Sequence, residues 1–260
     1  MLAHQDINFN QRMNLFSVRN KVILITGTSR GIGRSIAEAF LNLGSIVIGI
    51  SKKKNLKIKH KNYFHFACDL ENSKSIKATV AKAIKIKNKI DVLINNAGIT
   101  KENEKNIEKS FKIFNKTLNI NLAAPYQISL LAIKALKKNK SGGTIINISS
   151  IGGELGFPNN PAYISSKAGL IGLTKSFARD YGKYNINVNA VLPGYFNTDM
   201  NKKSFNNKLK RQKRSDLTML NRWGKMEELV GTVIFLASNE AKYITGQKII
   251  IDGGIVSKGL

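Results

Sequence analysis

Cysteine is all but missing from this 260-residue chain. Cys68 stands alone, so no disulfide can form within the chain, and a reducing cytoplasm is the expected compartment. Long apolar runs are missing too. No stretch approaches the roughly eighteen residues a membrane span needs, so a soluble protein without a membrane partner is expected. The first twenty residues lack the apolar core of a secretory signal and read as a loosely held N-terminal arm, leaving 21–260 as a single domain. Histidine is scarce, and His4, His60 and His65 show no metal-ligand spacing, so no metal site is expected. Acidic residues number 16 against 42 basic ones, a net charge of +26. That imbalance invites a nucleic-acid reading, but only eight of the 42 are arginine, the residue of bidentate phosphate and base recognition. The aromatics are not interleaved with the charges as stacking platforms would be, so no specific nucleic-acid partner is expected.

What is abundant is alternation. Seven β-branched runs, 21–26, 45–50, 63–67, 91–95, 143–149, 186–191 and 247–252, are separated by segments of helical period near 32–43, 73–87, 107–138, 161–182 and 226–238. Strands alternating with helices predict βαβ units, and near-continuous apolar strands predict cover on both faces. The expected fold is α/β: a single-domain, Rossmann-type doubly wound parallel sheet of about seven strands. The 201–215 segment carries seven Lys or Arg without a core pattern and reads as a mobile, solvated flap within 199–222.

The first strand runs into "TGTSRGIG", 26–33, and then into an apolar-periodic helix. Gly27 permits a tight turn, Gly31 lets backbone approach a pyrophosphate, Gly33 allows helix to pack on strand, and the helix N-terminus offers free N–H groups. The spacing G-x-x-x-G-x-G departs from the commoner G-x-G-x-x-G, and three glycines between strand and helix also fit a bland turn. An acid at the end of the second strand would hold ribose hydroxyls and favour NAD. Here Ser51, Lys52, Lys53 and Lys54 stand in its place, and Arg30 lies inside the glycine loop. NADP(H) is therefore the expected cofactor, with NAD(H) as the alternative.

Tyr163 precedes Lys167 by four residues and follows Ser150 by thirteen. In so lysine-rich a chain about one Tyr-Lys pair at that spacing arises by chance, so spacing alone decides nothing. Position adds weight: the pair shares one helix face, and Ser150 ends the preceding strand, where side chains meet the ligand crevice.

The ordered motifs "TGTSRGIG" (26–33), "NNAG" (95–98), "NISS" (147–150), "YISSK" (163–167), "PGYFNTDM" (193–200) and "IDGG" (251–254) resemble the short-chain dehydrogenase/reductase family, most of all its 3-oxoacyl-[acyl-carrier-protein] reductases. The resemblance implies an NADPH-dependent carbonyl reductase. Tyr163 would be the general acid, and Lys167 would lower its pKa and hold the nicotinamide ribose. Ser150 would hydrogen-bond the substrate carbonyl, and Asn121 would anchor a relay water. Cofactor contacts are implied along Gly27, Ser29, Arg30, Gly31, Ile32 and Gly33. They continue at Ser51 and Lys52, at Asp69 and Leu70 beside the adenine, and at Asn95, Asn96, Ala97 and Gly98 on the cleft floor. Pro193, Gly194, Phe196 and Thr198 would frame the nicotinamide, and "IDGG" would pair subunits into a homotetramer.

Phe157, Tyr195, Phe196 and Leu220 are candidates for an apolar substrate pocket. The basic 201–215 run suits an acidic acyl carrier protein. Where carrier-dependent relatives place arginines beside the mouth, this chain has Ser141 and Tyr184, with Lys140 and Lys183 adjacent. A 3-oxoacyl thioester substrate therefore stands beside a sugar, polyol or small ketone, and a noncatalytic binding protein is the third reading.

Overall fold

The computed structural model describes residues 16–53 and 57–258. Seven strands form one parallel sheet: β1 (Val22–Thr26), β2 (Ile46–Ser51), β3 (Tyr63–Ala67), β4 (Val92–Asn95), β5 (Gly143–Ile148), β6 (Ile186–Pro193) and β7 (Lys248–Ile251). Their order is β3-β2-β1-β4-β5-β6-β7, so the winding reverses between β1 and β4. Alternation along β1 sends Ile23 and Ile25 into one core cluster and Val22 and Leu24 into the other. Helix α1 (Gly31–Asn42) covers the first face through Ile36 and Phe40. The second is covered by α2 (Ser73–Lys85) through Ile76 and Val80.

The stretch read as one helix over 107–138 is three elements. Helix α3 (Ile107–Leu118) widens into a π-helical turn at Asn119–Ala123 before α4 (Ala124–Leu136) packs Ile128 and Ala132 on the sheet. The apolar period runs through the junction, so the sequence pattern hides the widening. Helix α5 (Pro161–Tyr181) follows β5 through a 3-10 turn, Ile151–Gly153.

The 201–215 segment is not a bare solvated flap. It forms α6 (Lys202–Asn206) and α7 (Lys208–Asp216), the latter capped by Asn207, whose side chain accepts from Lys210 N–H. Phe205 meets Trp223 edge to face at 5.2 Å, and Trp223 Nε1 donates to Arg211 O at 3.1 Å, so scattered aromatics anchor what the charge run conceals. Helix α8 (Met226–Ala237) returns the chain to the first face through Leu229 and Val233.

The expected arm at 1–20 needs a similar correction at its inner end. Residues 1–15 lie outside the described residues, but Val18 is buried in the core, Ser45 Oγ donates to Val18 O at 2.7 Å, and Phe16 packs edge-on against Phe235. Among the described residues no helix is long and apolar enough to cross a membrane.

Candidate active site

In a parallel sheet the carboxyl ends of the strands open on a crevice where the winding reverses, and β1 and β4 meet there. Gly27 leaves β1 at φ +81, with its N–H donating to Ile50 O at 2.6 Å. A Cβ on Gly27 would come 2.9 Å from Ala97 Cα, and one on Gly33 would come 2.4 Å from Gly27 O, so the turn is packed to backbone contact. Asn96 Nδ2 donates to Thr26 O at 2.8 Å, while Thr26 Oγ1 accepts from Asn96 and Ala97 N–H, both at 3.0 Å. Thr26 thus ties the glycine turn to the 95–98 motif, a role that its place inside the quoted motif did not single out.

Helix α1 begins at Gly31 with Arg30 as N-cap, and no side chain caps it, whereas Asn72 caps α2 by accepting from Ser75 N–H. The first N–H groups of α1 are left for a ligand, and Ser29 and Ile32 flank that opening. Above it, a Cβ on Gly31 would meet Thr198 at 3.7 Å, so the segment following Pro193 and Gly194 folds back over the glycine turn.

Ser51 and Lys52 lie at the end of β2 as expected, and their contacts add detail. The Ser51 hydroxyl donates to Lys53 O at 2.8 Å and lies 2.8 Å from His65 Nε2. Lys52 Nζ lies 2.7 Å from Asp69 Oδ2, the lysine exposed and the carboxylate partly so, and the two residues expected at phosphate and adenine hold one another. That contact raises the lysine's pKa and holds the carboxyl below its usual value. Leu70 is half-buried against the second core cluster. Arg30 is exposed and has no ion-pair partner among the described residues. Lys54 falls outside the described residues.

One expectation fails on packing. The Phe196 ring is 3% exposed within the first core cluster, and a Cβ on Gly224 would sit 2.4 Å from it, so this side chain does not line the substrate pocket, and a nicotinamide contact at this position would fall to its backbone. Tyr195 instead is half-buried and packs on Trp223 at 5.5 Å between ring centroids. Phe157 lies against the 3-10 turn, 3.1 Å from a Cβ placed on Gly152, as Tyr163 does at 3.3 Å, while Leu220 is 59% exposed.

Ser150, Tyr163 and Lys167 converge. Ser150 is buried at the end of β5, its Oγ accepting from Gly152 N–H at 3.1 Å. Ser149 is occupied elsewhere, donating to Lys167 O at 2.8 Å. Lys167 Nζ is buried, donates to Ile148 O at 2.8 Å and lies 5.7 Å from the centre of the Tyr163 ring. Burial pulls this amine from 10.5 down to about 8. Burial pushes the Tyr163 phenol up, opposed by its hydrogen bond with Ser150.

Asn121 sits in the π-helical turn, fully buried. Its Oδ1 accepts from Ile99 N–H at 2.8 Å and its Nδ2 donates to Ile99 O at 2.9 Å and to Ser166 Oγ at 3.1 Å. Ser166 Oγ donates to Tyr163 O at 2.7 Å. One chain of hydrogen bonds therefore ties the loop after Gly98, the widened turn and the tyrosine's helix; the role of Ser166 in it carries no signal at the level of sequence.

These residues fit a nicotinamide dinucleotide. The glycine turn leaves a cradle that side chains would fill, α1 presents an uncapped N-terminus, and the three-donor ammonium of Lys167 has one partner among the described residues. Fold and site together define an oxidoreductase acting between an alcohol and a carbonyl. Residues 27–256 match the family model described as enoyl-(acyl carrier protein) reductase. The 3-oxoacyl-[acyl-carrier-protein] reductase of Rickettsia felis is 38% identical over 93% of this chain and 99% of its own length. A 2-dehydro-3-deoxy-D-gluconate 5-dehydrogenase of Dickeya dadantii is 31% identical over 95% and 99%. Among solved structures, a gluconate 5-dehydrogenase of Burkholderia cenocepacia in complex with NADP and tartrate superposes with a TM-score of 0.88 at 26% identity, over 95% of this chain and all of that one. This chain belongs to the short-chain dehydrogenase/reductase family.

Proposed function

We propose that the protein is an NADPH-dependent reductase of 3-oxoacyl thioesters. The observation that carries the chemistry is the convergence of Ser150, Tyr163 and Lys167 beside the glycine cradle. The 3-oxoacyl reductase relatives, which run nearly end to end with this chain, support the substrate. When bound, the dinucleotide supplies the hydride. Arg30, Ser51 and Lys52 would hold the 2′-phosphate, Lys167 would hold the ribose hydroxyls, and Ser150 would donate to the carbonyl oxygen. Tyr163 then gives its proton to that oxygen as the alcohol forms, the cationic Lys167 stabilising the phenolate left behind. Asn121 touches none of the reacting atoms through its side chain; it positions the tyrosine's helix.

Among the described residues strand β7 pairs on one side only, with β6, and its residues are half-exposed or more. Its free edge and the following turn support a homotetramer, which light scattering would test. The second reading, a sugar-acid or small-ketone dehydrogenase, is favoured by the Dickeya relative and the Burkholderia structure. Loss of NADPH absorbance decides between them. Rapid, salt-sensitive reduction of carrier-bound acetoacetyl thioester supports the first reading and a docking role for the basic α6–α7 face. Silence there, with turnover of a keto-sugar acid, replaces it with the second.

A further inference from the structure

Among the described residues four buried side-chain polar atoms have no hydrogen-bond partner: Asn95 Oδ1, Thr117 Oγ1, Asn160 Oδ1 and Arg214 Nη1. Three are neutral, and the fourth belongs to a cation. A buried donor without a partner calls for an explanation, and a charged one most of all. Arg214 lies in α7, its guanidinium 4.6 Å from the centre of the Tyr195 ring and 5.7 Å from that of Trp223. No ion pair reaches it among the described residues. Arg222, a few residues on, shows what a satisfied fork looks like here: Nη1 and Nη2 meet Glu228 at 2.9 and 2.6 Å.

The guanidinium packs on the two rings, and its Nη1, closed to solvent here, is a donor that a ligand entering beside them would satisfy. The tyrosine it packs on follows the strand beside the reacting centre. Ser149 N–H donates to Val191 O, and Ile148 pairs with Val191, so Ser150 comes level with Pro193. Tyr195 is two residues beyond Pro193, at most about 7 Å of chain. We infer that Arg214, clamped by Tyr195 and Trp223, is the substrate-specificity residue of this crevice, taking an anionic oxygen, carboxylate or phosphate, carried by the carbonyl substrate. A planar fork matches either anion in two parallel hydrogen bonds. The inference deepens the reductase reading, since it takes the crevice to be a substrate site.

The chain has one tryptophan, Trp223, and it forms part of the clamp, so its emission reports the site without turnover. The probes are two matched pairs, gluconate against sorbitol and 4′-phosphopantetheine against pantetheine, titrated into the full protein with NADP present. A saturable change with one charged member and not with its neutral partner is expected, and which anion acts identifies the source, sugar acid or carrier arm. Arg214→Met should weaken it about ten- to a hundredfold, the range of charge-assisted hydrogen bonds. Arg214→Lys, which keeps the charge without the fork, should fall between, and serves if the methionine variant does not fold. Lys82→Met, an exposed lysine on α2, should leave the response unchanged. Equal responses to charged and neutral probes, no response at millimolar anion, persistence in Arg214→Met, or equal loss in Lys82→Met would each overturn the inference. These outcomes are separate from the reductase reading, which fails only if no carbonyl substrate oxidises NADPH.

Discussion

The two sides of the crevice are built on different physics. On the proposed cofactor side, backbone is locked in place: Gly27 N–H to Ile50 O, the Asn96 side chain across to Thr26 O, and Gly33 so close to Gly27 O that no side chain fits. On the proposed substrate side, α6, α7 and the turn to Trp223 hold together through rings and a cation, while Met200, Leu209, Met219 and Leu220 are half or more exposed. A lattice of short hydrogen bonds suits a ligand that never varies. Side chains sliding on aromatic faces can re-pack, which suits the partner whose identity sets the enzyme's role.

The largest effect should come where the two sides meet. Tyr163→Phe removes the proton donor without changing the ring, and kcat should fall about 10²–10⁴-fold with the circular dichroism spectrum unchanged; near-normal turnover would mean that another group supplies the proton. Next comes Lys167. Its folded pKa of about 8 lies below the ordinary 10.5, so between those values the unfolded chain holds a proton that the folded one lacks, and stability rises with pH across that window. The burial penalty, of order 3 kcal/mol, is fully present below pH 8. Lys167→Met should therefore be the more stable protein at pH 7, with its advantage shrinking toward pH 10, as read from urea midpoints. Tyr163 is displaced upward, so it works in the opposite sense only above pH 10.

Two smaller changes probe the cofactor side alone. Arg30→Ala should cost NADPH about ten- to a hundredfold in affinity and leave NADH nearly unchanged, the range of a lost charge-assisted bond; equal losses for both cofactors would place the arginine elsewhere. Gly33→Ala pushes a methyl against backbone, which cannot yield as a side chain would, and should cost about 1–3 kcal/mol by thermal unfolding together with cofactor affinity.

That asymmetry also explains what the sequence disclosed. The seven strands and the glycine turn were legible because each depends on local pattern: apolar runs, a strand-to-helix junction, glycine where backbone crowds. The motif order likewise pointed to Ser150, Tyr163 and Lys167, and the structure brings those three together. The flap was less legible because its anchors, Tyr195, Phe205 and Trp223, are far apart in sequence and lie among lysines that dominate any window. Phe196 misled for a related reason: adjacent residues point opposite ways, and nothing local tells which of Tyr195 and Phe196 faces the core. The π-helical turn at Asn121 was hidden by a periodicity that survives one extra residue per turn, and the Lys52–Asp69 pair by its dependence on tertiary placement.

The smallest effect tests whether the substrate side is as separable as its construction implies. Leu209, on α7, is 75% exposed, and Leu209→Ala removes surface rather than core. Its stability should stay within about 0.5 kcal/mol of the parent, as for most exposed positions. If the flap nonetheless meets an acyl chain or a carrier surface, KM for that substrate should rise while kcat and cofactor affinity hold. A fall in melting temperature comparable to that of Gly33→Ala would instead show that α7 is welded to the sheet, and that the two sides of the crevice differ in composition but not in rigidity.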